Sequence, residues 1–409
     1  MESFEILNNR GVTAPLGILA GSARGGIKTQ GDDVAFVLAP AGSTCAALFT
    51  SNQVKAAPVH LSARHLAGGR ARAVVVNAGN ANCCTGTRGD ENAARMVELA
   101  AQKFGLDSEE ILVCSTGIIG HQLPMEKVAD AITNIELGAR DENQDEKVAR
   151  AFMTTDTVPK YFAASTEIDG KTVTIGGQTK GVGMIGPDLK PLNAPLHATM
   201  LAFITTDAKI EAGRLQQLLE KSVARSFNSV TVDGDTSTND TAILLASGES
   251  GIEITDENQT RFLELLSFVT RELAKKIARD GEGATKLIEI TVAGTQTEAD
   301  AKKIALTIAN SPLVKTAIYG RDPNWGRIAM AAGRSGVEFD PKDLSFSLGD
   351  VLLFQKGQPV DFDLKQAEAQ LEHENVFINL DFGMSDVSWT AWTCDFSYDY
   401  VKINAEYHT

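Results

Sequence analysis

The sequence predicts an α/β fold of the α+β type, with helices packed over largely antiparallel sheets, and three observations carry that prediction. Apolar positions recur at helical spacing in some segments and at strand spacing in others. The two kinds of segment do not follow the strict strand–helix alternation of a doubly wound parallel sheet. Composition is that of a globular chain, with 43% hydrophobic and 22% charged residues. At 409 residues the chain exceeds the roughly 100–200 of one domain, which predicts one large or two intimate domains.

The elements follow in chain order. Residues 73–76 form a short apolar run of the buried-strand kind. Ala93, Met96, Val97, Ala100, Ala101 and Phe104 share one helix face, and Gly105 supplies the stop. Residues 111–113 are a second apolar run; Pro124 then opens a helix carrying Val128, Ile132 and Ile135, with Gly138 behind it. The acidic stretch at residues 141–147 reads as a solvated surface turn. A buried strand at residues 201–205 precedes a helix running from about Ile210 through Leu215, Leu218, Leu219 and Val223. After a strand at residues 242–245, the longest helix places Phe262, Leu266, Val269, Leu273 and Ile277 on one face. Ile288, Ile290 and Val292 alternate with Glu289 and Thr291, the period of a half-exposed strand. A helix holding Ile304 and Ile308 must end before Ser311-Pro312, and residues 376–380 close the series as a strand. With no internal repeat or low-complexity linker, the expected seam lies near residues 281–286, giving domains 1–285 and 286–409.

Charge and cysteine usage exclude several classes of function. Against 38 Lys+Arg stand 53 Asp+Glu, a net charge of -15, and no basic stripe offsets the resulting repulsion of nucleic acid. No apolar run reaches the roughly 18–20 residues of a membrane span. The opening Met1-Glu-Ser-Phe-Glu5 has neither the basic nor the apolar part of a secretory signal. The five cysteines form no CxxC pair, and free thiols in a reducing cytoplasm are expected. The six histidines show no metal-ligand spacing, so no metal is expected.

Four stretches are richer in Gly, Asn, Thr and Asp than packing requires. The first, Asn77-Ala-Gly-Asn-Ala-Asn-Cys-Cys-Thr-Gly86, follows the strand at 73–76 and reads either as a tight turn or as backbone facing a ligand. The second, Cys114-Ser-Thr-Gly-Ile-Ile-Gly120, is either an ordinary turn or an oxyanion site built from a hydroxyl and a backbone N–H. The third, Lys180-Gly-Val-Gly-Met-Ile-Gly-Pro187, has its lysine on the wrong side of the glycines for a phosphate loop. It leads to His197-Ala-Thr-Met-Leu201, where Thr199 is either a β-branched strand residue or a self-cleaving nucleophile. In the second case the hydroxyl attacks the preceding carbonyl, and the freed α-amine becomes the base. Its pKa near 8 suits neutral pH far better than a lysine near 10.4. The fourth set comprises residues 233–240, residues 280–286 and the C-terminal Asn404-Ala-Glu-Tyr-His-Thr409; neither acidic stretch has EF-hand spacing.

In order along the chain stand Phe49-Thr-Ser-Asn52 with Ala57-Pro58-Val59, residues 77–86, Ser115-Thr-Gly117, and Met153-Thr-Thr-Asp-Thr157 with Pro159-Lys160. Lys180-Gly-Val-Gly-Met-Ile185, Ala198-Thr-Met-Leu201, residues 232–240, residues 280–286, Asp322-Pro-Asn-Trp-Gly-Arg327 and residues 400–409 follow. Together they resemble, from end to end, the glutamate N-acetyltransferases, or ornithine acetyltransferases, of arginine biosynthesis. The resemblance implies a layered αββα sandwich like that of self-cleaving aminopeptidases, plus a smaller C-terminal α/β domain whose tail returns to the active site. It implies cleavage between Ala198 and Thr199, into an α chain of residues 1–198 and a β chain of 199–409, assembled as α2β2. Thr199 is then the nucleophile that carries acetyl from N2-acetyl-L-ornithine to L-glutamate, and Thr116 and Gly117 are the oxyanion pair. Thr154, Lys180, Thr199, Glu282, Asn404 and Thr409 match substrate-contacting positions; Thr155 is the competing choice for Thr154. Lys180 suits an α-carboxylate and Glu282 an ammonium. No cofactor is implied, acetyl-CoA being a candidate co-substrate that no local motif reports. The partners are small molecules in the cytoplasm.

One departure stands out. Residues 188–197 lie between Pro187 and Ala198, where most of the family reaches the Ala-Thr pair after two residues. Two readings compete with transfer: a self-cleaving aminopeptidase or amidohydrolase, and an amino-acid-binding protein without chemistry.

Overall fold

The computed structural model describes residues 4–186, 188–191 and 200–406. They form two compact units: Met1–Asn228 with Thr236–Leu273, and Ser229–Asp235 with Ala274–His408. In the first lie β1 (Glu5–Ile6), β2 (Leu19–Ala23), β3 (Val34–Leu38), β4 (Thr44–Phe49), α1 (Ala57–Ala67), β5 (Ala73–Asn80), α2 (Gly86–Phe104) and β6 (Ile111–Ile118). α3 (Met125–Asn134), α4 (Glu142–Ala151), β7 (Lys160–Ile168), β8 (Lys171–Lys180), β9 (Leu201–Thr206), α5 (Ala212–Ala224) and β10 (Thr241–Ala246) follow, and then α6 (Gln259–Arg279), divided between the units after Leu273.

Two sheets make up the first unit, in the orders β1-β7-β8-β9-β10-β4 and β2-β3-β5-β6. The central strands β3, β5, β9 and β10 are apolar and buried on both faces, the signature of sheets covered on two sides. Val74, Val76, Leu112 and Cys114 join Leu201, Phe203, Ile243 and Leu245 in one core between the sheets. The alternate residues Val75, Ile111 and Val113 pack outward against Ala93, Met96 and Val97 of α2 and Val128 and Ile132 of α3. On the far side α5 covers β4, and α6 lies so close over β8 that a Cβ on Gly177 would meet Leu273 Cδ1 at 2.8 Å. The layers are therefore helices, sheet, sheet, helices. Most pairings are antiparallel, as expected, while β5–β6 and β9–β10 are parallel.

The second unit carries β11 (Leu287–Ala293), α7 (Glu298–Ala309), α8 (Pro312–Tyr319), α9 (Trp325–Gly333), β12 (Ser345–Leu348), β13 (Val351–Gln355) and β14 (Gln358–Pro359). It continues with α10 (Leu364–Gln370), β15 (Asn375–Asp381), β16 (Ser388–Cys394) and α11 (Tyr398–Glu406). Its sheet runs β14-β13-β12-β15-β11-β16. Ile288, Ile290 and Val292 pair in register with Val376, Ile378 and Leu380 on a face that is buried, and α7 packs against β11 and β16.

Two expectations need correction. The acidic stretch at residues 141–147 is the start of α4: Asp141 caps the helix by accepting the Gln144 N–H at 2.9 Å. Asp145 within it is fully buried and accepts from Arg10 Nε at 3.0 Å and the Thr13 N–H at 2.7 Å. That partner lies far away in sequence, so no local pattern reveals that the charge is paired. Secondly, β5 and β6 extend into the polar stretches read as following them, because Ser115 Oγ donates to Asn77 Oδ1 across the sheet at 2.6 Å.

Candidate active site

Strand ends and the segments leaving them build the site in the first unit. β5 and β6 run parallel with Ala78 opposite Thr116 and Gly79 opposite Gly117, and the register breaks there. Both glycines have left-handed φ, +99 and +133. A Cβ on Gly117 would fall inside the backbone of Gly79 and Asn80, so only glycine fits. The neighbouring turn is held by side-chain amides. Asn77 Nδ2 donates to the Asn80 carbonyl at 2.9 Å, and Asn239 Nδ2 donates to the carbonyls of Ala81 at 2.6 Å and Ser115 at 2.8 Å. Asn239 therefore ties residues just before β10 to both polar strand ends.

Lys180, the last residue of β8, is buried and donates from Nζ to Thr116 Oγ1 at 3.2 Å. Accepting from an ammonium turns the Thr116 hydroxyl so that its own proton points elsewhere, as a donor. The charge balance comes from Asp156. Its Oδ1 accepts from Lys160 Nζ at 2.7 Å and from the Gly181 N–H at 2.8 Å, while Oδ2 accepts the Thr154 N–H at 3.0 Å. Burial alone raises the pKa of this carboxyl, but the charges of Lys180 and Lys160 and the hydrogen bonds from Lys160 and the Gly181 N–H outweigh it and hold Asp156 well below the usual carboxylate range. Lys28 completes the cluster by donating to the carbonyls of Arg150, Ala151 and Met153 at the end of α4. Burial lowers its pKa, and the positive charge of Lys180 adds to that.

A second carboxyl behaves in the opposite way. Asp240 stands directly before β10, beside Met200 in the parallel register, where the Thr241 N–H donates to the Met200 carbonyl at 2.9 Å. It is fully buried, and among the described residues neither side-chain oxygen has a hydrogen-bond partner. Burial pushes its pKa far up, with Lys180 only partly opposing this.

Of the expected site residues, the structure brings together Thr116, Gly117 and Lys180, and joins Thr154 to them through Asp156. Glu282 and Asn404 meet in the second unit, where Asn404 Nδ2 donates to Glu282 Oε2 at 2.9 Å. Beside them burial, with Asp233, Glu282 and Asp235, pushes the Tyr400 phenol up to about 12. Ala198, Thr199 and Thr409 lie outside the described residues. So does most of the 188–197 segment, whose described start is anchored: the Leu189 N–H donates to Asn228 Oδ1 at 2.6 Å, and Lys190 bridges Phe49 through the backbone. Asp156, Asn239 and Asp240 were not singled out from the sequence. An acid four residues before a lysine was the available signal for Asp156; Asn239 and Asp240 were hidden in a polar run whose partners lie over a hundred residues away.

Among the described residues no cluster of three or more metal-ligating side chains occurs, and no helix is long and apolar enough to cross a membrane.

The family model for ArgJ matches residues 19–409. A Synechocystis protein named as the arginine biosynthesis bifunctional protein ArgJ is 45% identical over 423 residues, covering 100% of both chains. A Gloeobacter violaceus protein of the same name is 45% identical over 416 residues, again covering 100% of both. The crystal structure of the bifunctional protein ArgJ from Bacillus halodurans is similar at 44% identity and a TM-score of 0.50, covering 51% of this chain and 100% of that one. With a match running from Leu19 to the final residue, this chain belongs to the ArgJ family.

Proposed function

We propose that this protein is a self-cleaving acetyltransferase of arginine biosynthesis, carrying acetyl from N2-acetyl-L-ornithine to L-glutamate through an acetyl ester on Thr199. Membership of a family whose relatives are named arginine biosynthesis proteins supports the pathway, and the word bifunctional in those names supports a second use of acetyl-CoA as donor. The observation that carries the chemistry is the buried contact of Lys180 with Thr116, next to a glycine that tolerates no side chain.

The steps follow from those groups. Cleavage between Ala198 and Thr199 frees an α-amine, which takes the Thr199 hydroxyl proton as the oxygen attacks the acetyl carbonyl. The Thr116 hydroxyl, with its lone pair committed to Lys180, and the Gly117 N–H stabilise the oxyanion. Ornithine leaves with the proton; the glutamate amine then attacks the ester and restores the enzyme. Lys180 is the carboxylate partner of both amino acids, and Glu282 is the partner of the ornithine side-chain ammonium. Asn404, Thr409 and Thr154 contact substrate, and the cleaved chains assemble as α2β2 in the cytoplasm. That about half of this chain accounts for the whole of the Bacillus halodurans chain is the proportion expected of a chain cut near its middle.

Thr199→Ala should migrate as one uncut chain on a denaturing gel and transfer no acetyl, whereas the native protein yields fragments of residues 1–198 and 199–409. Two fragments from that variant would sink the scheme. Acetate release from N-acetylornithine that glutamate leaves unchanged would instead identify a hydrolase.

A further inference from the structure

The loop between β5 and α2 carries two adjacent thiols that the proposed reaction does not use. In an extended chain successive side chains point to opposite sides. Here Asn82 and Cys84 both take left-handed φ, 46 and 58, and the Cys83 and Cys84 sulfurs come to 3.7 Å. The geometry is held from several directions. Asn82 Nδ2 donates to the Gly89 carbonyl at 2.8 Å, Thr85 Oγ1 donates to Asn82 Oδ1 at 2.9 Å, and the Gly120 N–H donates to the Cys83 carbonyl at 2.9 Å. Cys84 is exposed while Cys83 is buried beneath it.

The remaining thiols differ. Cys114 and Cys394 are buried and Cys45 half-buried; burial pushes Cys45 and Cys114 up to about 12 and raises Cys394. Buried thiols of this kind react slowly, and burial raises Cys83 in the same way; what sets the 83–84 pair apart is the exposed Cys84 with its sulfur 3.7 Å from that of Cys83. The adjacent pair therefore offers two convergent soft donors, one of them open to solvent. No third ligand completes a metal cluster among the described residues. A tetrahedral zinc site needs four ligands. Two thiols suit a soft centre that brings its own third substituent.

We propose that Cys83 and Cys84 form a chelating dithiol site for monosubstituted trivalent arsenicals. With an organoarsenic oxide, both S–H bonds and the arsenic–oxygen bond break, two arsenic–sulfur bonds form, and the oxygen leaves as water with the two thiol protons. Arsenic stays trivalent throughout. Cys84 reacts first, and Cys83 closes the ring as an intramolecular step, which raises avidity by roughly 10²–10⁴ over a single thiol.

The test is intact-mass spectrometry of the full-length protein, as it purifies, after one equivalent of phenylarsine oxide. One adduct per Cys83-bearing chain is expected, lighter by one water than simple addition. It should survive excess glutathione and be stripped by 2,3-dimercaptopropanol. Cys84→Ser removes only an exposed thiol, and should lower glutathione-resistant labelling by at least about 100-fold; Cys394→Ser should not change it. An adduct that glutathione removes from the native protein overturns the proposal, as does full resistant labelling of Cys84→Ser.

Discussion

At the scale of single residues, Gly117 shows how a site can depend on a missing side chain. Its φ of +133 and the closeness of the Gly79 backbone leave no room for a Cβ. Gly117→Ala should therefore lose about 1–3 kcal/mol of stability from backbone strain, read by denaturant unfolding. By shifting the proposed oxyanion donor, it should also cut acetyl transfer by about 10²-fold or more, read by steady-state assay of purified enzyme. Substitution to Ala with full activity would remove Gly117 from the proposed machinery. The sequence made this glycine a candidate because Thr-Gly follows an apolar run. The pairing with Gly79 was not legible, since the two residues are brought together only by the parallel register of β5 and β6. Asp156 was missed for a related reason. Its value lies in the lysines around it, and Lys180 arrives from the far end of another strand.

At the scale of elements, α4 shows how a charged segment can be misread. Composition alone gives a solvated turn, yet Asp145 anchors the helix to the segment before β2 through Arg10 and the Thr13 N–H. Asp145→Ala deprives the partly buried Arg10 of its carboxylate, leaving it the Arg140 carbonyl and the Thr13 hydroxyl. Loss of a buried partner of this kind costs about 3–5 kcal/mol, so urea unfolding of the variant should show a midpoint well below that of the native protein. A change under 1 kcal/mol would mean that water already serves Arg10. The long amphipathic helices were legible because their periodicity is local: α2 and α6 span the faces expected for them. Strands such as β2 and β8, short or rich in Gly and Thr, lacked such a pattern and are held by their neighbours in the sheets.

At the scale of the whole molecule, two buried carboxyls give the stability curve opposite slopes. Asp156 is held below its unfolded value, so its contribution is present above about pH 4 and is lost as pH falls through the folded pKa. Asp156→Asn should be destabilised at neutral pH, and that deficit should shrink in acid, measured by thermal unfolding across pH. Asp240 is held above its unfolded value; the folded state is penalised as pH rises from about 4 towards the raised folded pKa. Asp240→Asn should match the native protein near pH 4 and melt higher at neutral pH. A variant that melts lower at pH 7 would show that the Asp240 carboxyl has a partner in solution. Neither slope could be anticipated from the net charge of -15, which counts both groups alike.

Local sequence was enough to read the fold class, the amphipathic helices and most of the residues on which the proposed chemistry rests, because apolar periodicity and ordered motifs are properties of neighbouring residues. Folding alone sets which way the pKa of each buried acid is pushed, which glycine tolerates no side chain and that Lys180 meets Thr116. Those properties depend on burial and on contacts between strands distant in sequence, where electrostatic and steric energies are set by groups that no local window contains.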